Sequence, residues 1–266
     1  MGNRLSFLPM GICLLGLLPA GSAPAQGFAA MASPPRFELR MKPGQATREI
    51  VEITNADSAV GRYRVKTADW SLGADASVTF HDDLRAGSCR PWVAIERGQV
   101  QVPPAGRQRY RFEINVPPDA PAGECRFALM IEGEDPVKAQ ASGLSIPVTG
   151  RLGVIVYVAV GDARPQLEIV EPTTVDVNGQ RVPALRVRNI GNAHGRLSGF
   201  LSGTDARGRE FEFTPSSFPI LPGETRTIAL APAAVREDGA GVAFPITVRG
   251  QVEWDNGRVD LNRRFD

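Results

Sequence analysis

Apolar residues occupy every second position over a long stretch in the middle of the chain. Between residues 144 and 158 only Gly150 interrupts this alternation, and the apolar positions are Leu144, Ile146, Val148, Leu152, Val154, Val156 and Val158. An alternation with period two predicts a β-strand, here about twice the usual strand length. The intervening residues are polar or small up to Gly153 and become apolar from Ile155. The pattern therefore predicts a strand that begins at an exposed sheet edge and continues into the interior of a domain.

The first half of this predicted strand has the features of an edge. Pro147 lies within it and lacks the N–H group that a central strand needs. A long apolar edge is normally a hazard, because its unpaired backbone groups recruit other strands. Its presence predicts that another chain pairs with residues 144–148.

Shorter runs of the same character recur along the rest of the chain, separated by turns rich in Pro and Gly. The runs are residues 48–54, 61–67, 78–80, 92–95, 109–116 and 125–131, and then 167–170, 184–188, 195–202, 210–213, 225–230, 244–249 and 251–254. Residues 161–165 break the pattern between the two series. The sequence thus predicts an all-β protein with two tandem immunoglobulin-like β-sandwich domains, at residues 33–160 and 165–266.

The two series share a weak internal similarity. In the first, an alternating strand ends at Asn55, and a Pro/Gly turn later leads into a strand at Tyr110. In the second, a strand ends at Asn189, and the turn at Pro222-Gly223 leads into another alternating strand. This similarity predicts two sandwiches of the same general type.

The N-terminus has the pattern of a secretory signal peptide. Arg4 precedes an apolar run that Pro9 and Pro19 interrupt, and the small residues Ala23-Pro24-Ala25 follow it. We expect residues 1–25 to be a signal peptide that is cleaved after Ala25. The run is too short and too broken to span a bilayer, so we expect an exported protein without stable membrane insertion.

Two cysteines, Cys89 and Cys125, remain after this cleavage. An even pair in an oxidising compartment predicts a disulfide, and two free buried thiols are the alternative.

Composition narrows the function classes. The chain has 266 residues, 42% of them apolar, which is enough for two ordinary cores. A formal net charge of +1 gives no field that attracts nucleic acid. There is no nucleophile elbow, phosphate loop or dinucleotide fingerprint, and the two histidines have no metal-ligand spacing. We therefore expect no catalytic residues, no metal and no cofactor.

Three arginines are candidates for a binding role. Arg36 and Arg40 precede or flank the first strand, and Arg151 lies within the long one. A guanidinium group can hold a carboxylate through two parallel hydrogen bonds, so a pocket between these strands could bind a peptide C-terminus. Ordinary solvated arginines are the alternative.

Taken together, these residues resemble the periplasmic pilus (fimbrial) assembly chaperone family, the PapD-like two-domain proteins. The resemblance covers residues 33–266 in architecture and rests locally on a few motifs: Val51-Glu52-Ile53-Thr54-Asn55, Tyr63-Arg64-Val65 with Asp69-Trp70, Tyr110-Arg111-Phe112, Glu124-Cys125-Arg126-Phe127, and the long strand. It implies a divergent member of that family, located in the periplasm. Its partners would be a secreted, pilin-like client subunit and an outer-membrane usher.

The resemblance also implies roles for particular residues. Leu144, Ile146 and Val148 would be the donor residues that complete the sandwich of a client subunit. The family anchors the client's C-terminal carboxylate with an arginine and a lysine. The lysine position corresponds to Gly153 here, two residues beyond Arg151, which could substitute, whereas Arg36 and Arg40 are equal candidates for the arginine.

Two other readings remain open from the sequence alone. The chain could be a tandem immunoglobulin-like structural or ligand-binding module of a cell-envelope assembly. It could also be an enzyme or a sugar-binding accessory domain.

Overall fold

The computed structural model describes residues 28–134, 136–141, 144–233 and 241–266. For residues 137–141 and 144–147 the backbone is described but the side chains are not. The predicted signal peptide and its cleavage site at Ala25 lie outside the described residues. No helix in the described part of the chain has the length and apolar character needed to cross a bilayer.

The described residues form nineteen strands and one short 3₁₀ turn at Arg90–Trp92. The strands of the first half are β1 Ala30–Ser33, β2 Arg36–Met41, β3 Ala46–Asn55, β4 Gly61–Leu72, β5 Val78–His81, β6 Val93–Ile95, β7 Gln99–Val102, β8 Arg107–Asn115, β9 Gly123–Gly133, β10 Val137–Ala141, β11 Leu144–Val148 and β12 Arg151–Val160. Those of the second half are β13 Leu167–Val177, β14 Gln180–Asn189, β15 Leu201–Thr204, β16 Glu210–Pro215, β17 Thr225–Pro232, β18 Ile246–Trp254 and β19 Gly257–Phe265.

The first domain is a sandwich of two sheets. One has the strand order β1-β3-β8-β6, and the other has the order β2-β12-β9-β4-β5, with β7 also paired to β4. The chain changes sheet between β1 and β2, at Pro34 and Pro35, so that β1 pairs with β3 while β2 runs parallel to β12. The facing sides of the two sheets bury one apolar core, which includes Tyr110, Phe112 and Phe127.

The second domain is also a sandwich, formed from strands in the order β13-β14-β17-β16-β15-β18-β19. Strand β17 belongs to both layers, because its first part pairs with β14 and its last part pairs with β16. A second apolar core lies between the layers and includes Leu185, Phe213 and Phe265. The chain thus folds into two tandem immunoglobulin-like sandwiches, as the sequence predicts.

The internal similarity in the sequence corresponds to a repeated structural feature. Asn55 ends β3 and Asn189 ends β14, and both side chains are buried. The Asn55 amide donates to the carbonyls of Ala59 and Pro103, at 2.7 and 3.1 Å. The Asn189 amide donates to those of Ala193 and Ile220, both at 2.8 Å. In each sandwich the asparagine fixes the end of one strand to the turn that precedes its partner strand.

The cysteine pair forms the predicted disulfide. Cys89 and Cys125 are bonded, with their Cα atoms 5.5 Å apart, and the bond closes a 36-residue segment of the first domain. Cys89 is fully buried in the first core.

Several strand predictions differ from the structure. The segment 195–202 is mostly a loop with isolated bridges at Gly195 and Ser198, and only its last two residues belong to β15. The runs 244–249 and 251–254 are one strand, β18, which passes through Gly250. Strand β19 is missing from the predictions because its arginines obscure the alternation of Val259 and Leu261.

The single long strand predicted over 144–158 is two strands in the structure. Strand β11 ends at Val148 and β12 begins at Arg151, with Thr149 and Gly150 between them. The second half of the predicted strand, which is β12, is largely buried on both faces, as the sequence pattern indicates. The inner face joins the first core, and the outer face packs in a third cluster with Trp70, Tyr157 and Leu221, the last of which comes from the second domain.

Candidate functional site

The last hairpin of the first domain extends beyond the sandwich. Strands β9 and β12 pair antiparallel from Val160 opposite Gly123 to Arg151 opposite Glu132. One more hydrogen bond, from Gly133 N to Gly150 O at 3.0 Å, follows before the ladder is interrupted. Strands β10 and β11 then form a separate two-stranded hairpin, which we call the arm (residues 137–141 and 144–148).

One edge of this hairpin has no strand beside it among the described residues. Strand β2 covers the free side of β12 from Ile155 to Val160. No described strand pairs with residues 151–154 on that side, and none pairs with β11 on the side away from β10. We call residues 144–148 and 151–154 the open edge. Within the described residues its outward N–H and C=O groups have no strand partner, and such groups are the usual template for pairing with another strand.

The predicted donor residues lie on the arm, within the open edge. Leu144 and Ile146 belong to the backbone of β11, but their side chains are outside the described part of the structure. Val148 is described and is 47% exposed.

A phenylalanine ring explains why glycine interrupts the alternation at position 150. A β-carbon at Gly150 would collide with Cβ and Cγ of Phe28, which lies just before β1. The same ring is 3.4 Å from the place that a β-carbon of Gly133 would occupy. Phe28 packs against the first core and meets Tyr63 edge to face, with ring centroids 6.1 Å apart. We call the place where the arm leaves the sheet, at Gly133 and Gly150, the root of the arm. The Phe28 ring therefore fills the space at this root on the side that faces the core.

A second ring explains the glycine at position 153, where the family resemblance leads one to expect lysine. A β-carbon at Gly153 would lie 2.6 Å from Cε1 of Phe80, which reaches it from β5. Phe80 belongs to the third cluster, so it covers the face opposite to Phe28. The guanidinium carbon of Arg151 lies 5.9 Å from the centre of the Phe80 ring. A side chain at position 153 would have to displace the Phe80 ring, and Arg151 supplies a cation two residues earlier on the same face of the strand.

The three candidate arginines lie on one face of the sheet but not at one point. Arg36 and Arg40 point outward from β2, opposite Ile155 and Ala159 of β12, on the same face as Arg151. At about 3.3 Å per residue, Arg151 is about 13 Å along the strands from Arg36 and about 26 Å from Arg40. One carboxylate therefore cannot bind Arg40 and Arg151 together.

Their partners differ as well. Arg36 pairs with Glu38 at 2.7 Å. Arg40 pairs with Asp255 of the second domain at 2.7 Å, which makes it a link between the domains. Arg151 forms no ion pair with the described side chains and is exposed.

A polar cleft of ≈ 190 Å³ lies between the two domains, and the sequence patterns give no sign of it. His194 enters it from the second domain, with Nδ1 2.5 Å from Glu124 Oε2 and the imidazole stacked on Tyr157 at 3.9 Å. Arg196 donates to Ser217 O at 2.7 Å and approaches Glu38 at 3.5 Å. Burial raises the pKa of the Tyr157 hydroxyl, and the nearby Arg196 charge opposes this. The contacts of His194 with Glu124 and Tyr157, and of Arg196 with Glu38, join the two domains.

Sequence reasoning missed several residues of this region. His194 is in a loop that reads as an ordinary turn, and its partner Glu124 is distant in the chain. Phe28 and Phe80 were missed because they reach the root of the arm through the fold. The signal that could have found them is the pair of glycines, Gly150 and Gly153, on either side of Leu152 at the start of β12.

No protein-family model matches the chain, and no curated protein matches it in sequence. Among solved structures it is similar to the YadV chaperone, with 13% identity and a TM-score of 0.46 over 89% of this chain and 99% of that one. It is also similar to the Pseudomonas aeruginosa CupB2 chaperone, with 12% identity and a TM-score of 0.46 over 89% of this chain and 100% of that one. A third similarity is to a chain in the complex of Salmonella enterica SafA pilin with the SafB chaperone, with 12% identity and a TM-score of 0.46 over 90% and 98% of the two chains.

Proposed function

We propose that this chain is an exported, non-enzymatic chaperone-like protein that binds a secreted client subunit by adding a strand at the open edge. The observation that carries this proposal is the edge itself, which lacks a partner strand within the described residues along 144–148 and 151–154. The sequence supports it independently, because Leu144, Ile146 and Val148 alternate along that edge with the spacing that one face of a strand requires.

Strand addition supplies both affinity and selectivity. Main-chain hydrogen bonds along the open edge hold an extended segment of the client. Each large apolar side chain that is buried in the client contributes roughly 1.5–3 kcal/mol. Three such residues in alternate positions would protect a client that lacks a strand of its own.

The open edge also suggests where a client strand ends. Strand β2 occupies the edge from Ile155 onward, opposite Arg36, so an added strand has to stop near that residue. We propose that Arg36 holds the terminal carboxylate of the client, with Arg151 on the same face as the second cation. The exposed Glu38 partner of Arg36 is a weak competitor for that role.

The experiment that tests the function replaces the donor residues. The variant Leu144→Ser/Ile146→Ser/Val148→Ser is expected to fold and to lose the exported partner that co-purifies with the wild-type protein. The matched control, Val170→Ser/Val177→Ser/Phe200→Ser, changes three exposed apolar residues of the second domain. It is expected to keep the partner. Mass spectrometry of the co-purified protein and circular dichroism of each variant give the readout.

The opposite outcome rejects the proposal. If the donor variant keeps its partner, or if both variants lose it equally, strand addition at the open edge is wrong.

The anchor has its own comparison. Arg36→Gln is expected to weaken partner binding about tenfold or more, because a hydrogen bond to a charged group contributes about 1.5–3 kcal/mol. Arg40→Gln, which removes a surface ion pair with Asp255, is the control and should leave binding unchanged. If Arg40→Gln weakens partner binding more than Arg36→Gln does, the carboxylate is bound in the cleft between the domains instead.

A further inference from the structure

The root of the arm is held from both faces by aromatic rings. Phe28 fills the space at Gly150 on the core side, and Phe80 fills the space at Gly153 on the outer side. The two glycines are three residues apart at the start of β12. Each ring occupies the space that a side chain at position 150 or 153 would otherwise fill. The backbone at the start of β12 is therefore in contact with an aromatic ring on both faces.

The backbone at this place would otherwise be free to bend. The hydrogen-bonded ladder of β9 and β12 ends with Gly133 and Gly150, and pairing resumes only at Val137 and Val148. Thr149 alone separates Val148 from Gly150, whereas the opposite strand is longer by two residues between Gly133 and Val137. Such a bulge bends a hairpin locally and leaves its direction to the surrounding contacts.

The rings themselves are fixed by the sandwich. Phe28 contacts the first core and meets Tyr63 at an interplanar angle of 88°. Phe80 packs in the third cluster, and Arg151 lies over its ring. A fixed ring on each face limits the directions in which the strand can leave the sheet.

We propose that Phe28 and Phe80 form a clamp that sets the direction of the arm, and that they are positioning residues for the open edge. The importance of that direction rests on the proposed function, since only an edge that receives a client strand needs a defined orientation. The clamp itself is a property of the isolated chain.

The test is a pair of double-mutant cycles read by amide hydrogen exchange on the full chain without any client. Phe28→Ala is expected to speed exchange at least tenfold at those amides of residues 137–141, 144–146 and 148 that pair β10 with β11, while the amides of β3 and β8 keep their protection. Gly150→Ala is expected to do the same, because its new methyl group displaces the Phe28 ring. The added methyl group would also meet Cβ of residue 28, which alanine keeps, so the double variant that gives it room is Phe28→Gly/Gly150→Ala. In that variant most of the protection should return, whereas Phe28→Gly alone should behave like Phe28→Ala.

The second cycle uses Phe80→Ala and Gly153→Ala and examines the clamp from the other face. It keeps the test decisive if a Phe28 variant is too unstable to study. Phe28→Leu is the conservative rescue and should restore arm protection, and Phe200→Ala, an 87% exposed phenylalanine away from the arm, is the matched control.

Two outcomes would overturn the clamp. One is that the effects at positions 28 and 150, and at 80 and 153, are simply additive. The other is that exchange accelerates equally in β3 and β8, which would mean that the rings only stabilise the domain. Because no client is present, either failure is independent of whether the partner experiment succeeds.

Discussion

The two sandwiches close with equivalent hairpins that end very differently. In the second domain β18 and β19 pair from Ile246 opposite Phe265 to Trp254 opposite Gly257, which leaves Asp255 and Asn256 as the whole turn. In the first domain β9 and β12 pair just as regularly, but residues 134–149 lie between the last hydrogen-bonded positions, Gly133 and Gly150. The second domain shows that two residues are enough to close such a hairpin. The additional residues of the first hairpin therefore serve something other than the stability of the sandwich.

The largest expected effect comes from making the two hairpins alike. Replacing residues 134–149 with Asn-Gly, a favoured two-residue hairpin turn, removes the arm and keeps Gly133 and Gly150 as flanking positions. We expect a folded protein, because both cores and the disulfide are untouched, and complete loss of partner co-purification. Thermal unfolding and the pull-down are the two measurements. A variant that still recovers its partner would place client binding outside the arm.

The disulfide is a second difference, since its two cysteines are both in the first domain. In the chain-entropy model a crosslink that closes 36 residues contributes about 4 kcal/mol. Reduction is therefore expected to lower the unfolding free energy of the first domain by that amount and to leave the second unchanged. Urea unfolding can separate the domains, because Trp70 and Trp92 report on the first and Trp254 on the second. Equal destabilisation of both domains would show that they unfold as one unit.

The buried asparagines offer a matched pair of substitutions. Asn189→Ala and Asn55→Ala each leave several buried backbone groups without a partner, so we expect each to cost roughly 2–4 kcal/mol. Asn189 also accepts from Gln166 N at 3.2 Å, in the segment that joins the domains. Asn55 accepts as well, from Asp57 N at 3.0 Å, so comparable losses are expected in the same tryptophan-resolved urea titration, each in its own domain. A negligible loss at either position would mean that water replaces the amide.

The smallest expected effect is a pH dependence of the second domain that arises from Asp205. Burial raises the pKa of Asp205, but hydrogen bonds from the Arg209 side chain and from three backbone N–H groups outweigh it and lower the pKa from 3.8 to about 2. The folded pKa is below the unfolded one, so this stability is present above pH 4 and is lost as pH falls toward 2. We expect a loss of about 2 kcal/mol over that range, absent in Asp205→Asn. The measurement is the urea midpoint reported by Trp254 at pH 4 and at pH 2. If this midpoint falls no further in the wild-type protein than in Asp205→Asn, the predicted pH dependence is wrong.

The sequence predicts the fold well where a strand has one buried face. The alternation in β3, β8 and β14 comes from the core itself, and turn residues mark the strand ends. It predicts less where distant parts of the chain meet. The break at Gly150 depends on Phe28, and the pairing of Arg40 depends on Asp255 in the other domain. Periodicity along one strand contains no information about such partners.

The alternation of apolar residues over 144–158 predicts an open edge. The structure shows where that edge ends, because β2 pairs with β12 from Ile155 onward. The sequence does not indicate that β2 runs parallel to β12 or that it begins opposite Ile155, because parallel pairing joins segments that are far apart in the chain. That single register sets the length of edge that a client can use. It also separates Arg36, at the end of the open edge, from Arg40, in the contact between the domains.

The most direct test of client strand addition is amide hydrogen exchange of the chain with and without its co-purified partner. Along a strand only alternate amides face the open edge, and the others already pair with β10 or β9. Strand addition gives the outward amides new hydrogen bonds, so we predict slowed exchange centred on residues 145, 151 and 153, with Pro147 silent because it has no amide proton. Unchanged exchange along the open edge, with protection instead on the loops of the second domain, would contradict strand addition and favour a binding module of another kind.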